Sequence, residues 1–306
     1  MQITARPYRD DEDLHALLAF ATNAASVAPE YGSFHVGDIL WGMFQNVIFD
    51  PRRSIRLWES VDGELLGFVW NDPPGVVFWD IHPRLRGSGT LEESMLEWSE
   101  QHGSSTLTEG PDAGRRQVWI RGFENDRWLQ AFFEQRGYQR DEDFMFHYCR
   151  SLDGPIPEPT LPPGFRVRHV GGEEEWNQRV ETHREVWHPS KVTLEAYRRL
   201  RQAPGYIPEL DLVVETPGGD FGAYCICWLD RINGLGEFEP VGTRPAYRGQ
   251  GLGKAVMLEG LRRLQERGAQ SALVYSEGNN VASNRLYQSV GFQPVDKDLF
   301  FTRIVS

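Results

Sequence analysis

Apolar and polar positions alternate in short runs along this chain, and longer stretches with apolar residues at helical spacing separate the runs. ITARPY at 3–8 and FRVRHV at 165–170 read as strands, each followed by an acidic, helix-compatible stretch, from Asp10 and from Glu173. Strand pairs come next: SIRLWES with LLGFVW in the first half, LDLVVET with FGAYCICWL in the second. In each half a further apolar strand enters a glycine-bearing turn and then an amphipathic stretch, at 91–101 and at 253–267. In the second of these, Met257, Leu258, Leu261 and Leu264 fall on one helical face. RRQVWI…FFEQRGY and SALVYS…LYQSVGF close the two halves with a strand, a short helix and a glycine-aromatic pair. One order of elements occurring twice predicts an internal duplication with a period of about 150 residues.

The boundary between the copies is SLDGPIPEPTLPPGF at 151–165, where five prolines and two glycines exclude a helix or a central strand. The chain is therefore expected to divide into domains at 1–150 and 165–306, joined by a proline-rich linker at 151–164. At 306 residues it is long enough for each half to bury a core of its own. The fold class expected is α/β of the mixed kind, each domain a mixed central β-sheet flanked by helices.

Charge changes the picture in one respect. The chain carries a formal net charge of −12, with 14 Arg against 24 acids in 1–150 and 18 bases against 20 acids in 151–306. That field disfavours nucleic acid and anionic membrane surfaces as partners and favours cationic ones. No run approaches the length of a membrane span, and MQITARPYRDDEDLH lacks the apolar segment of a secretion signal, so a cytoplasmic protein is expected. Cys225 and Cys227 alternate onto one strand face and, with Cys149, read as plain thiols; no spacing points to a metal.

Chemistry is concentrated in EFEPVGTRPAYRGQGLGKAVMLEGLRRLQERG at 237–268. A strand ends near Val241 to Thr243, Pro245 breaks it, and Arg248-Gly249-Gln250-Gly251-Leu252-Gly253-Lys254 leads into a helix. Three glycines let the backbone turn tightly and bring several N–H groups to an open helix N-terminus, which is a cradle for an anion such as a pyrophosphate. A P-loop is excluded because Ala255 follows Lys254, and a dinucleotide fold lacks its acid in Leu273-Val274-Tyr275. Farther on comes Asn280-Val281-Ala282-Ser283-Asn284-Arg285-Leu286-Tyr287-Gln288-Ser289-Val290-Gly291-Phe292.

The Arg-x-x-Gly-x-Gly loop and this second motif, in that order, resemble the GCN5-related N-acetyltransferase (GNAT) superfamily, in a tandem arrangement similar in architecture to mycothiol synthase. The resemblance covers 165–306 well and 1–150 in outline. It implies a transfer of an acetyl group from acetyl-CoA to a primary amine of a small, cationic substrate, by direct attack in a ternary complex. It also implies that Arg248, Gly249, Gln250, Gly251, Leu252, Gly253 and Lys254 hold the pyrophosphate. Val241 and Thr243 would pair with the pantetheine arm, Asn280 would contact the cofactor, and Tyr287 would set its hydroxyl by the CoA sulfur. A non-catalytic acyl-CoA sensor is the alternative.

An alkylamine is protonated at neutral pH, so the reaction requires a base. Glu237 and Glu239, the acids on the strand entering the loop, are the base candidates, with His183 and His188 behind them. In the first half the matching loop, Pro83-Arg84-Leu85-Arg86-Gly87-Ser88-Gly89-Thr90-Leu91-Glu92, has Leu91 for Gly253 and Glu92 for Lys254, and Phe133 stands where Tyr287 does. Cofactor binding there is expected to be weak or absent.

Overall fold

The computed structural model describes residues 2–28, 33–72 and 75–305. The first half runs β1 (Ile3–Pro7), α1 (Asp11–Val27), α2 (Val36–Phe44), α3 (Pro51–Ser54), β2 (Ile55–Ser60), β3 (Leu65–Asp72) and β4 (Val76–Ile81). It continues with α4 (Thr90–His102), β5 (Ser105–Thr106), β6 (Arg116–Phe123), α5 (Arg127–Gln135) and β7 (Gln139–Ser151). The second half runs β8 (Arg166–His169), α6 (Glu173–Val186), α7 (Leu194–Leu200), β9 (Asp211–Glu215), β10 (Phe221–Asp230) and β11 (Leu235–Thr243). It ends with α8 (Leu252–Glu266), β12 (Ser271–Glu277), α9 (Val281–Ser289) and β13 (Gln293–Val305). The Asp10 side chain caps α1, accepting from the Glu12 amide, which is why the helix starts where the acidic stretch does.

Two compact units emerge, and they exchange segments of chain. One comprises 1–34, 50–147 and 296–306, the other 35–49 and 148–295. The division at 151–164 read from composition stands as a proposal about ancestry, because compactness partitions the chain differently: α2 belongs with the second unit and the end of β13 with the first.

In the first unit β1, β2, β3 and β4 pair antiparallel in sequence, β4 then pairs parallel with β6, and β6 antiparallel with the end of β13. Its core includes Trp58, Val69, Val77, Met95, Ile120, Phe133 and Phe301. In the second unit β8, β9, β10 and β11 pair antiparallel in sequence, and β11 pairs parallel with β12. Every residue of β10 is buried, so this strand is the unit's spine. Burial of each large apolar side chain contributes roughly 1.5–3 kcal/mol.

The same defect occurs in both units at the same place. Parallel pairing stops at Val77 with Ile120 in the first and at Glu237 with Leu273 in the second, although all four strands run on. In β11 a bulge adds to the divergence: Phe238 pairs with Cys227 but Val241 with Cys225, two intervening residues facing one. The strands splay where the glycine loop begins.

Candidate active site

In the second unit, the loop between β11 and α8 is shaped by Gly249 and Gly251, whose φ angles of 78° and 80° favour glycine. Gly251 is the N-cap of α8 and brings no capping side chain, and the first turn holds no acid. The amides of Leu252, Gly253 and Lys254 therefore keep their donors for a ligand. Gly253 has no room for a side chain, since a Cβ would lie 2.9 Å from Thr243 Oγ1 and 3.2 Å from Leu286 Cδ2.

These groups open onto a cavity of about 540 Å³. Val241, Thr243, Arg248, Gly249, Gly251, Leu252, Gly253, Lys254, Asn280 and Tyr287 line it, joined by Val186, Trp187, Tyr247, Ser283 and Leu286. Of the cofactor residues read from the sequence only Gln250, which is exposed, lies outside that wall. The Asn280 side-chain Oδ1 caps α9 by accepting from the Ser283 amide at 3.1 Å, which leaves its NH2 group for other partners. Uncapped amides, a glycine with no room for a Cβ and a cavity lined by Arg248 and Lys254 fit a diphosphate with an extended arm.

Tyr287 lies on α9 at the cavity wall, 6% exposed, edge-on to Tyr148. Burial, then the charge of Glu239, raises its phenol above the ordinary value, while a hydrogen bond with Ser283 opposes this. The group is a neutral donor across the physiological range.

Glu237 is fully buried. Its Oε2 lies 2.7 Å from His35 Nδ1, and its Oε1 is buried without a hydrogen-bond partner. Burial, then the charge of Glu239, pushes its carboxyl up to about 8. Glu239, half-buried, is pushed up to about 8 by burial and by the charge of Asp38. Asp38 sits in the first turn of α2 and closes a capping box with His35, accepting from its amide at 2.8 Å. Gly37 makes the approach of α2 possible, because a Cβ there would lie 2.1 Å from Glu237 Oε2.

His183 and His188, the other base candidates, fall at a buried and an exposed position. His183 is buried, accepts from the Tyr224 hydroxyl at 2.7 Å, and is pushed down to about 3 by burial and by Arg179. His188 is exposed, and none of the four base candidates, His183, His188, Glu237 and Glu239, lines the cavity beside Tyr287. The residues that sequence reading missed are His35 and Asp38. Their only local signal is a helix start in HVGDILW, and nothing local says that this helix packs on a strand 200 residues away.

The first unit shows what the cradle becomes when it is filled. Glu92, 1% exposed, turns its carboxylate back into the loop and accepts from the Gly87 amide at 2.7 Å. A cavity of about 300 Å³ remains beside it, lined by Trp79, Phe123, Trp128 and Glu92 among others.

Fold, cradle and splay belong together in one unit, and residues 174–292 match the Acetyltransferase (GNAT) family. The chain belongs to that family, and it is an acyl-CoA-dependent acetyltransferase whose donor is acetyl-CoA. Among individual relatives, it is 31% identical to the mycothiol acetyltransferase of Thermobispora bispora, covering 82% of this chain and 83% of the relative. It is 28% identical to that of Saccharomonospora viridis, over 80% of this chain and 81% of the relative. A solved structure of a tandem GNAT protein from the clavulanic acid biosynthesis pathway shares the fold with a TM-score of 0.67, at 18% identity, covering 99% of this chain and 98% of its own. The tandem architecture is thereby shown.

Proposed function

We propose that the second unit transfers acetyl from acetyl-CoA directly to the primary amine of a small cationic molecule, and that its first unit binds no CoA. The observation that carries this reading is the meeting of an uncapped, acid-free α8 N-terminus and the Tyr287 phenol in one cavity. The relatives named above are mycothiol acetyltransferases, so an amino-sugar-cysteine conjugate of the mycothiol kind is the acceptor we infer.

When bound, acetyl-CoA supplies an activated acyl group and a thiol leaving group. The amides of Gly251, Leu252, Gly253 and Lys254 hold its diphosphate, with Arg248 and Lys254 adding positive charge and Asn280 a further donor. The β11 backbone at Val241 and Thr243, past the last pair with β12, offers strand-like hydrogen bonds to the arm.

Glu237 is the base in this reading. It stands at the final β11–β12 pair, where the splay opens, behind the residues that line the cavity; Asp38 hydrogen-bonds its carboxyl, and Oε1 has no partner of good geometry. A carboxyl near 8 is matched to an amine far better than an ordinary carboxylate. Glu239 and Asp38 draw an ammonium group in, since each negative neighbour that raises these acids makes a cation welcome. Tyr287 donates a hydrogen bond toward the leaving sulfur. Its raised phenol is a weaker acid than a thiol of about 8.5, so stabilisation of the thiolate, and not complete proton transfer, is its contribution.

Incubation with acetyl-CoA and a panel of amines, among them a cysteinyl-glucosamine conjugate, while free thiol is followed, tests the proposal. Turnover with at least one amine is expected, and Tyr287→Phe should lower kcat by roughly 10–100-fold with CoA affinity little changed. Equal kcat for wild type and variant would refute the role of Tyr287, and silence across the panel would refute the acceptor class.

A further inference from the structure

The pair formed by His35 and Glu237 has a feature that a simple buried carboxylate would not have. His35 Nε2 lies 3.1 Å from the Leu235 carbonyl oxygen, which only accepts, so Nε2 carries a hydrogen. On the other side of the ring, Nδ1 accepts from the Gly37 amide at 3.1 Å and lies 2.7 Å from Glu237 Oε2. A carboxylate oxygen and a ring nitrogen that both lack hydrogen would repel at that distance, so one proton belongs to the contact. The side chains are 2% and 0% exposed, and no solvent competes for it.

We propose that His35 is a positioning residue for the transfer, one that holds the Glu237 proton and receives it as the amine gives up its own. The idea rests on the reading of Glu237 as base. The balance is simple: the ammonium proton goes to Glu237 Oε1, the Oε2 proton passes to His35 Nδ1, and the amine lone pair is freed. The carboxyl stays neutral throughout and imidazole becomes imidazolium, which the Leu235 carbonyl continues to hold. Burial pulls His35 below the ordinary histidine value, while Asp38 on α2 and Asp230 at the end of β10 oppose this and favour the imidazolium; Glu239 on β11, itself held near 8, also faces the pair. His35 thus gives a buried base a second place to store charge.

The experiment is a double-mutant cycle with Glu237→Gln and His35→Leu, using acetyl-CoA and the best amine of the panel, with His35→Gln as a variant that keeps a polar group. Two readouts accompany kcat: the pH profile of kcat/KM, and the infrared carbonyl band of protonated carboxyl in the free protein, assigned by its loss in Glu237→Gln. His35→Leu should lower kcat at least tenfold and move the midpoint of the rising limb upward by about one pH unit. Without His35 the accepting form is the ionised Glu237 carboxylate, held near 8, in place of an imidazole held below its ordinary value beside a neutral carboxyl. The infrared band should shift as well, His35→Gln should recover part of the rate, and His35→Leu should cost nothing more in the Glu237→Gln background. If Glu237→Gln abolishes turnover while His35→Leu leaves midpoint and band in place, the role of His35 is overturned and the base stands. If Glu237→Gln keeps its rate, the base reading itself is wrong and the proposal goes with it. Should His35→Leu fail to fold, the midpoint and band of His35→Gln decide between the same outcomes.

Discussion

At the scale of single residues, the site depends on where charge is withheld. Glu237 and Glu239 are held near 8, where an exposed glutamate sits near 4.5. Linkage gives a consequence for stability. The folded state keeps these protons to higher pH than the unfolded chain, so the contribution is complete below about pH 4.5 and is lost as pH rises to about 8. The melting temperature of the free protein is therefore expected to fall across that window, and Glu237→Gln, which has no proton to lose, should flatten the slope. A melting temperature that rises from pH 5 to 8, or a slope unchanged in the variant, would show that burial does not act on these acids as described. Glu237 and Glu239 were legible as candidates because they are the acids on the strand entering the loop. That they differ was not: alternation places both on one face, but the bulge after Phe238 and the approach of Gly37 leave one fully buried and the other half-buried.

At the scale of elements, the two loop-and-helix starts show how a small change in sequence decides function. In α8 the N-terminus is open, whereas in α4 the first turn holds Glu92 and Glu93, and the Glu92 carboxylate already occupies the Gly87 amide. Sequence reading expected Glu92 to repel phosphate; the structure adds that its carboxyl already accepts from a loop amide. Titration with CoA is accordingly expected to show one site per chain. Gly253→Ala should weaken it by about tenfold or more, since the Cβ overpacks against Thr243 and Leu286 at about 1–3 kcal/mol. Two equivalent sites would contradict the account of Glu92, and unchanged affinity in Gly253→Ala would contradict that of the cradle. Strands and helices around both loops were readable because glycine, proline and apolar spacing are local signals. The nine residues of α2 carry little such signal, and the use made of them is a matter of packing on β10 and β11.

At the scale of the whole molecule, duplication is visible in the chain, but exchange is not. The proline-rich stretch at 151–164 marks where one copy ends in sequence, yet 35–49 packs into the second unit and 296–306 into the first. Composition reports where a chain is unlikely to fold regularly; it does not report which distant segment completes a sheet or a site. His35 and Asp38 come from the first half and Glu237 and Tyr287 from the second, so the site we propose in the second unit draws on both halves of the sequence. In that proposal the first half contributes to the chemistry through one short helix.

The most direct measurement is a crystal structure of the chain with acetyl-CoA. The account expects the diphosphate on the amides between Gly249 and Lys254 of the second unit, the sulfur beside the Tyr287 hydroxyl, and the acyl end toward Glu237. Density on the Gly87 to Glu92 loop, or a cradle at Gly249 to Gly253 left without ligand at saturating acetyl-CoA, would contradict it.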